Sequence, residues 1–279
     1  MHYDPIKKSL GTIFNKTPLL RILFYKLLDL LLLRAWHVKK ELKTWAKGSL
    51  KNDSDPLSGR QRCWILDAGS GFGQYTFFLS NLIKDACILA IDVKQEQITD
   101  CNTFFTRIGK TDVLFENADL TTFTIPDKFD LILSVDVMEH IEEDEKVFRN
   151  FFDSLTQEGM VLISTPSDLG GSDVRDHEEE NSFIEEHVRN GYDIDAIQEK
   201  LKRAGFFRTE AHYTYGKPGQ LGWKLSMKFP ILMLNRSKIF FILLPIYYLF
   251  AYPLALICNT LDVMLPQPTG TGLIVKAWK

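Results

Sequence analysis

The chain has 279 residues, 45% hydrophobic and 25% charged, enough to bury one sizeable core and too apolar for a disordered chain. A formal net charge of -3 provides no field that would gather nucleic acid, so no nucleic-acid partner is expected. Cys63, Cys87, Cys101 and Cys258 show no CxxC or Cys/His metal spacing, which suits reduced thiols in a cytosolic protein and gives no metal site.

Residues 18–46 read PLLRILFYKLLDLLLLRAWHVKKELKTWA, without internal Gly or Pro and dense in leucine, which predicts one long helix or two. Arg21, Lys26, Asp29 and Arg34 interrupt the apolar run, so no signal-peptide core is present. These charges are spread around the helix, and that much apolar surface must be covered by protein or lipid. Two covers remain open. One is the sheet or a second subunit. The other is a membrane interface with Trp36 and Trp45 at headgroup level and Arg34, Lys39 and Lys40 near lipid phosphates. Polar residues 48–62, with Pro56 and Gly59, predict a loop that separates this arm from the strand-rich remainder of the chain.

The chain is organised around residues 63–74, CWILDAGSGFGQ. A short apolar run predicts a buried strand, Asp67 stands at its carboxyl end, and Gly69, Gly71 and Gly73 precede a helical pattern. Glycines let the chain turn with positive φ and bring backbone N–H groups close to a ligand. Alone, the pattern also fits a dinucleotide site or a plain tight turn. A second run, ACILAI over 86–91, ends in Asp92, where a carboxylate can accept from both ribose hydroxyls or cap a helix over 94–107. A third, VLFENA over 113–118, ends at Asp119. A fourth, FDLILSV over 129–135, ends at Asp136 and leads into MEHIEEDEKVF. Strands are further predicted over 159–165, 206–215 and 269–279, the last with Leu273, Val275 and Ala277 on one side.

Taken in order, LDAGSGFG, AIDV, NADL, FDLILSVDVMEHI and GMVLISTP resemble the motifs of class I S-adenosylmethionine-dependent methyltransferases over roughly residues 63–206. The resemblance implies an α/β fold, a doubly wound Rossmann-like seven-stranded sheet whose last strand is antiparallel. It implies S-adenosylmethionine as cofactor, with Asp67, Gly69, Gly71 and Gly73 at its amino-acid end and Asp92 at its ribose. Asp119 would receive the adenine amino group, the Ala118 N–H a ring nitrogen, and Ser134 would lie by the methionine portion. Plainer readings stay open: Asp67 as a brace for the loop, Asp119 as a turn residue. The absence of an Asn/Asp-Pro-Pro-aromatic motif speaks against an exocyclic base nitrogen or an amide as acceptor. His140 is one candidate general base, with helix capping as its alternative, and His187 in the HVRNGY segment is a second. Arg189 would meet an acidic group on the acceptor or pin the acidic loop at 167–192. A non-catalytic scaffold and a nicotinamide oxidoreductase remain as alternatives.

The departure from the family pattern is an insertion of about 50 residues between the last two strands. Residues 239–258, IFFILLPIYYLFAYPLALIC, carry no charge and are long enough to span a bilayer. The flanking strands must pair in one sheet, so the insertion has to leave and return on the same side. It is therefore expected as a helical hairpin lying in one leaflet, broken by Pro245 and Pro253, with Trp223, Tyr247, Tyr248 and Tyr252 near the interface. A subunit interface is the alternative cover. The expected organisation is a helical arm over 1–50, a methyltransferase core over 51–220, the insertion over 221–265 and a final strand over 266–279. The expected activity is O-methylation of a hydrophobic or lipid acceptor by a cytoplasmic protein attached peripherally or monotopically to the membrane, with homo-oligomerisation left open.

Overall fold

The computed structural model describes residues 17–51, 62–170, 188–237 and 239–279. Two helices open it, α1 over Pro18–Leu31 and α2 over Leu33–Lys51. The Thr17 hydroxyl caps α1 by accepting from the Leu20 N–H at 3.3 Å, and Pro18 occupies the first turn, where a missing N–H costs nothing. Leu32 is extended, with φ -92° and ψ 108°, and parts the two helices. Helix α2 continues through Gly48, past the expected start of the polar loop.

Seven strands form one sheet: β1 Trp64–Ala68, β2 Cys87–Asp92, β3 Val113–Asn117, β4 Phe129–Val135, β5 Leu155–Pro166, β6 Arg208–Thr214 and β7 Gly272–Trp278. Their order is β3-β2-β1-β4-β5-β7-β6, with β7 antiparallel to both neighbours and the other central pairs parallel. Helices α3 Gln74–Leu82, α4 Gln95–Arg107, α5 Asp144–Ser154 and α6 Ile194–Ala204 cover it. Strand alternation divides the core into two faces. Ile65, Ile88, Leu131, Leu133 and Ile274 pack with Val38 and Leu42 of α2. Leu66, Leu89, Ile132, Leu273, Val275 and Ala277 pack with Phe148 of α5 and Ile197 of α6. Helix α2 is thus a sheet-packed helix.

Three charges of the arm are engaged inside the protein, which favours the sheet-packed cover of the two left open. Arg34 forms an ion pair with Asp136, Lys39 pairs with Asp29, and Lys40 Nζ donates to the Val263 carbonyl at 2.6 Å. Trp45 packs against the α2 face of the core.

Between β6 and β7 the insertion is a helical hairpin. Its first arm is α7 Lys217–Trp223, a π-helical turn Lys224–Lys228 and α8 Phe229–Arg236; its second is α9 Phe240–Met264. Pro245 and Pro253 lie inside α9, which runs unbroken, contrary to the expected breaks. Each proline deletes one ladder N–H, but the bonds on either side and the packing of α9 against α7 keep the helix continuous. The tyrosine hydroxyls each find a carbonyl partner within the protein. Tyr247 donates to the Leu225 carbonyl at 2.7 Å and Tyr248 to the Ser226 carbonyl at 2.9 Å, both within the π-helical turn, and Tyr252 donates to the Leu30 carbonyl of α1 at 3.0 Å. A wide turn leaves carbonyls poorly aligned with the ladder, and these hydroxyls satisfy them.

The carboxyl end of α9 is anchored by a buried polar cluster. His37 Nε2 of α2 and Asp262 Oδ2 lie 2.8 Å apart, and the Asp262 carboxylate accepts from the Tyr215 and Gly219 N–H groups at 3.0 and 3.1 Å. A Cβ at Gly219 would stand 2.7 Å from that carboxylate, so only glycine lets α7 approach.

Candidate active site

The site is built at the carboxyl ends of β1, β2 and β4, beside the point where the strand order reverses from β1 to β4. After β1 the chain turns through Gly69, Gly71 and Gly73 with φ of 81°, 50° and 75°. A Cβ at Gly69 would stand 2.3 Å from Val137 Cγ2, so glycine is needed there both for its dihedral and for the close approach of β4's exit. The Gly69 and Ser70 N–H groups both donate to the Ile91 carbonyl at 2.9 Å, which ties the loop to β2.

Asp92 completes that tie. Its Oδ2 accepts from the Gly71 N–H and its Oδ1 from the Lys94 N–H, each at 2.9 Å. A carboxylate has about four acceptor positions, so two remain for hydroxyl donors such as those of a ribose. Asp67 is buried and accepts from the Thr76 hydroxyl of α3. Burial raises its carboxyl to about 6, against the lowering effect of Thr76, and nearby Asp92 adds to the rise. Asp67 therefore braces the first turn of α3 while standing ready to be stabilised as an anion by an approaching cation. Ser134 Oγ and Ser70 Oγ are buried and find no partner among the described residues. Such orphan polar atoms mark a place where a ligand's polar groups fit.

Two expected adenine contacts are already engaged. The Ala118 N–H, expected to read a ring nitrogen, donates here to the Asp92 carbonyl at 3.2 Å and extends the pairing of β2 with β3. Asp119 Oδ1 accepts from the N–H and the hydroxyl of Thr121, each at 2.8 Å, so the turn-residue reading describes that oxygen.

At the exit of β4, Asp136 has φ 53°. A non-glycine residue held left-handed is strained and is found preferentially at functional sites. Met138–His140 form a single 3₁₀ turn, in which Glu139 is buried and accepts from the Thr165 hydroxyl at 3.1 Å, while His140 is exposed on the rim. His187 lies outside the described residues. Arg189 is committed to structure. Its guanidinium donates to Asp144 at 2.8 Å and to the Met138 carbonyl at 3.0 Å, and Tyr192 joins the same cluster with its hydroxyl pushed upward by burial and by Asp144. It pins its segment to α5 and the 3₁₀ turn rather than facing an acceptor.

The sequence reading missed the role of the arm. Arg21 of α1 donates to the Phe72 carbonyl of the glycine loop at 2.9 Å, Tyr25 donates to the same carbonyl, and Asp29 accepts from the Gln74 side chain at 2.8 Å. Arg34 and Tyr215, which also has a positive φ of 55°, meet through the Arg34 N–H and the Tyr215 hydroxyl oxygen at 3.0 Å. A signal was present: Arg21, Tyr25 and Asp29 recur every four residues and form one polar stripe on a leucine-rich helix.

A family model described as a methyltransferase domain matches residues 60–207. The chain belongs to this methyltransferase family. Phosphoethanolamine N-methyltransferase 1 of Zea mays is 35% identical over 144 residues, 51% of this chain and 28% of that protein. A malonyl-acyl-carrier-protein O-methyltransferase of Bacillus anthracis is 33% identical over 101 residues, 36% of each chain. The chain thus matches well under half the length of these curated relatives. Among solved structures, Haemonchus contortus phosphoethanolamine N-methyltransferase 2 in complex with S-adenosyl-L-methionine has a TM-score of 0.56 at 16% identity, covering 85% of this chain and 52% of that one. This likeness shows a shared fold, the Rossmann-like seven-stranded sheet.

The family's cofactor is S-adenosylmethionine, and the residues here fit it. Asp92 and the glycine loop would hold its ribose and amino-acid end, the orphan Ser70 and Ser134 hydroxyls have hydrogen bonds to give, and Asp67 would gain from a nearby ammonium. Among the described residues no group of His, Cys, Asp and Glu could hold a metal.

Proposed function

We propose that the chain transfers the methyl group of S-adenosylmethionine to a small acceptor with an apolar body, which it meets at the cytoplasmic surface of a membrane. The cofactor half of the reading is supported by the glycine loop braced on Asp92. The membrane half is carried by one observation: α9 is long and apolar enough to cross a bilayer, yet only 6% of its apolar window is buried in the protein. Because β6 and β7 pair along their whole length, the hairpin leaves and returns at one edge of the sheet, which favours lying in a leaflet over spanning it.

For the acceptor atom, the N-methyltransferase names of the maize relative and the nematode structure favour an amine nitrogen over the oxygen expected from sequence. Bound at the glycine loop, the cofactor would supply a sulfonium methyl that an amine lone pair would take as the carbon–sulfur bond breaks, and the amine proton would pass to water or to His140, which is exposed at the exit of β4. With so good a leaving group, catalysis rests on holding the two reactants in line. The test is incubation of the full chain with methyl-labelled cofactor and a membrane lipid extract. Label in an amine-bearing, organic-soluble product supports the reading. Label confined to water-soluble acceptors sinks the membrane half, and no label with any acceptor sinks the enzyme.

A further inference from the structure

The charges of the chain are segregated. It holds 33 Lys and Arg and 36 Asp and Glu, yet residues 211–261 contain Lys217, Lys224, Lys228, Arg236 and Lys238 and no acid, so that stretch carries +5 and the remainder -8. Lys217 opens α7, where the helix dipole disfavours a positive charge, and Lys224 and Lys228 stand in the π-helical turn that follows it. They flank the most exposed apolar surface of the molecule. Along α9, Ile242 is 75% exposed, Phe250 74% and Met264 72%, a ridge of about 33 Å at 1.5 Å per residue. Helix α1, joined to α9 by the Tyr252 hydroxyl, continues that surface with Leu19, Leu23, Leu27 and Leu30, and Lys26 is exposed among them.

We propose that the α7–α9 hairpin, with the outer stripe of α1, docks on a bilayer surface rich in anionic headgroups. This rests on the membrane reading above and adds the chemistry of the partner. The α9 ridge enters the acyl boundary. Long Lys and Arg side chains on the first arm reach phosphates at headgroup level. Residues 52–210 hold 15 Lys and Arg against 32 Asp and Glu and are repelled by the same surface, so charge orients the protein with the hairpin and α1 toward the lipid.

The test is flotation of the full chain with phosphatidylcholine vesicles, with and without phosphatidylglycerol, at low and high salt. The wild type should bind the phosphatidylglycerol vesicles at least about tenfold more tightly, and the difference should shrink as salt screens the charges. The neutralised variant Lys217→Gln/Lys224→Gln/Lys228→Gln/Arg236→Gln should lose that preference; salt dependence of the wild type answers the same question if the variant does not fold. Equal, salt-insensitive binding to both vesicles overturns the anionic preference and leaves the membrane reading standing. Binding to neither overturns both. A dimer that Ile242→Asn/Phe250→Asn dissociates, in a protein that ignores vesicles, would show a second copy as the occupant and overturn the proposal.

Discussion

Strand β1 and helix α9 are both dominated by large apolar residues, and their fates are opposite. Ile65, Leu66 and Ala68 are 0% exposed, whereas Ile246, Leu249 and Phe250 are 59%, 68% and 74% exposed. The difference lies in what neighbours can cover. A strand in the middle of a parallel sheet receives helices on both faces. Helix α9 has α7, α8 and parts of α1 and α2 along one side and no further element of the described chain on the other. Hydrophobicity alone does not say whether a residue builds a core or a docking face; the supply of partners does.

Substitutions should separate the two regions, beginning with the largest effect. Leu66→Ala removes side-chain packing from a closed core and should cost about 2–5 kcal/mol, read as a lowered midpoint in urea. Gly69→Val forces a branched residue to φ 81° and into Val137, and about 3 kcal/mol of strain should appear as a cofactor affinity reduced roughly 100-fold or as loss of folding, read by calorimetry and circular dichroism. Asp92→Ala removes the acceptor of the Gly71 N–H along with the ribose acceptor and should weaken cofactor binding by about 1.5–3 kcal/mol.

Asp67 confers a pH effect, since its folded carboxyl is raised to about 6 from an ordinary value of 3.8. A raised carboxyl favours the protonated folded state, so its stabilising contribution is present below the ordinary carboxyl range and is lost as pH rises to about 6. Cofactor affinity should move oppositely, strengthening as pH rises through that window because the cofactor's ammonium favours the anion. Asp67→Asn should flatten the dependence in a calorimetric pH series. The smallest effect on the fold should come from Ile242→Asn, 75% exposed and touching no core, within about 0.5 kcal/mol of wild type in the same urea titration.

Much of the sheet was legible because each strand carries its own signal. The alternation of Leu273, Val275 and Ala277, the glycine triplet and the acids at strand ends all stand where the motif order placed them. The hairpin was legible from a topological demand, since β6 and β7 must pair. What escaped the sequence depends on contacts far apart in the chain. Arg34 looks like any interfacial arginine until its helix is laid beside Asp136, and the partners by which Arg189 pins its segment, Asp144 and Tyr192, come from elsewhere in the chain. The Ala118 N–H continues the pairing of β2 with β3 by one more bond, which no local pattern reveals. The prolines of α9 misled because breaking a helix depends on what else holds it.

The most direct test is calorimetric titration of S-adenosylmethionine into the full chain, its Asp92→Ala variant and its Ile242→Asn/Phe250→Asn variant. Wild type and the hairpin variant should bind alike, while Asp92→Ala should bind at least about tenfold more weakly, placing the cofactor in the glycine-loop half and leaving the outward apolar face to another task. A folded wild type that shows no binding would contradict the account at its centre.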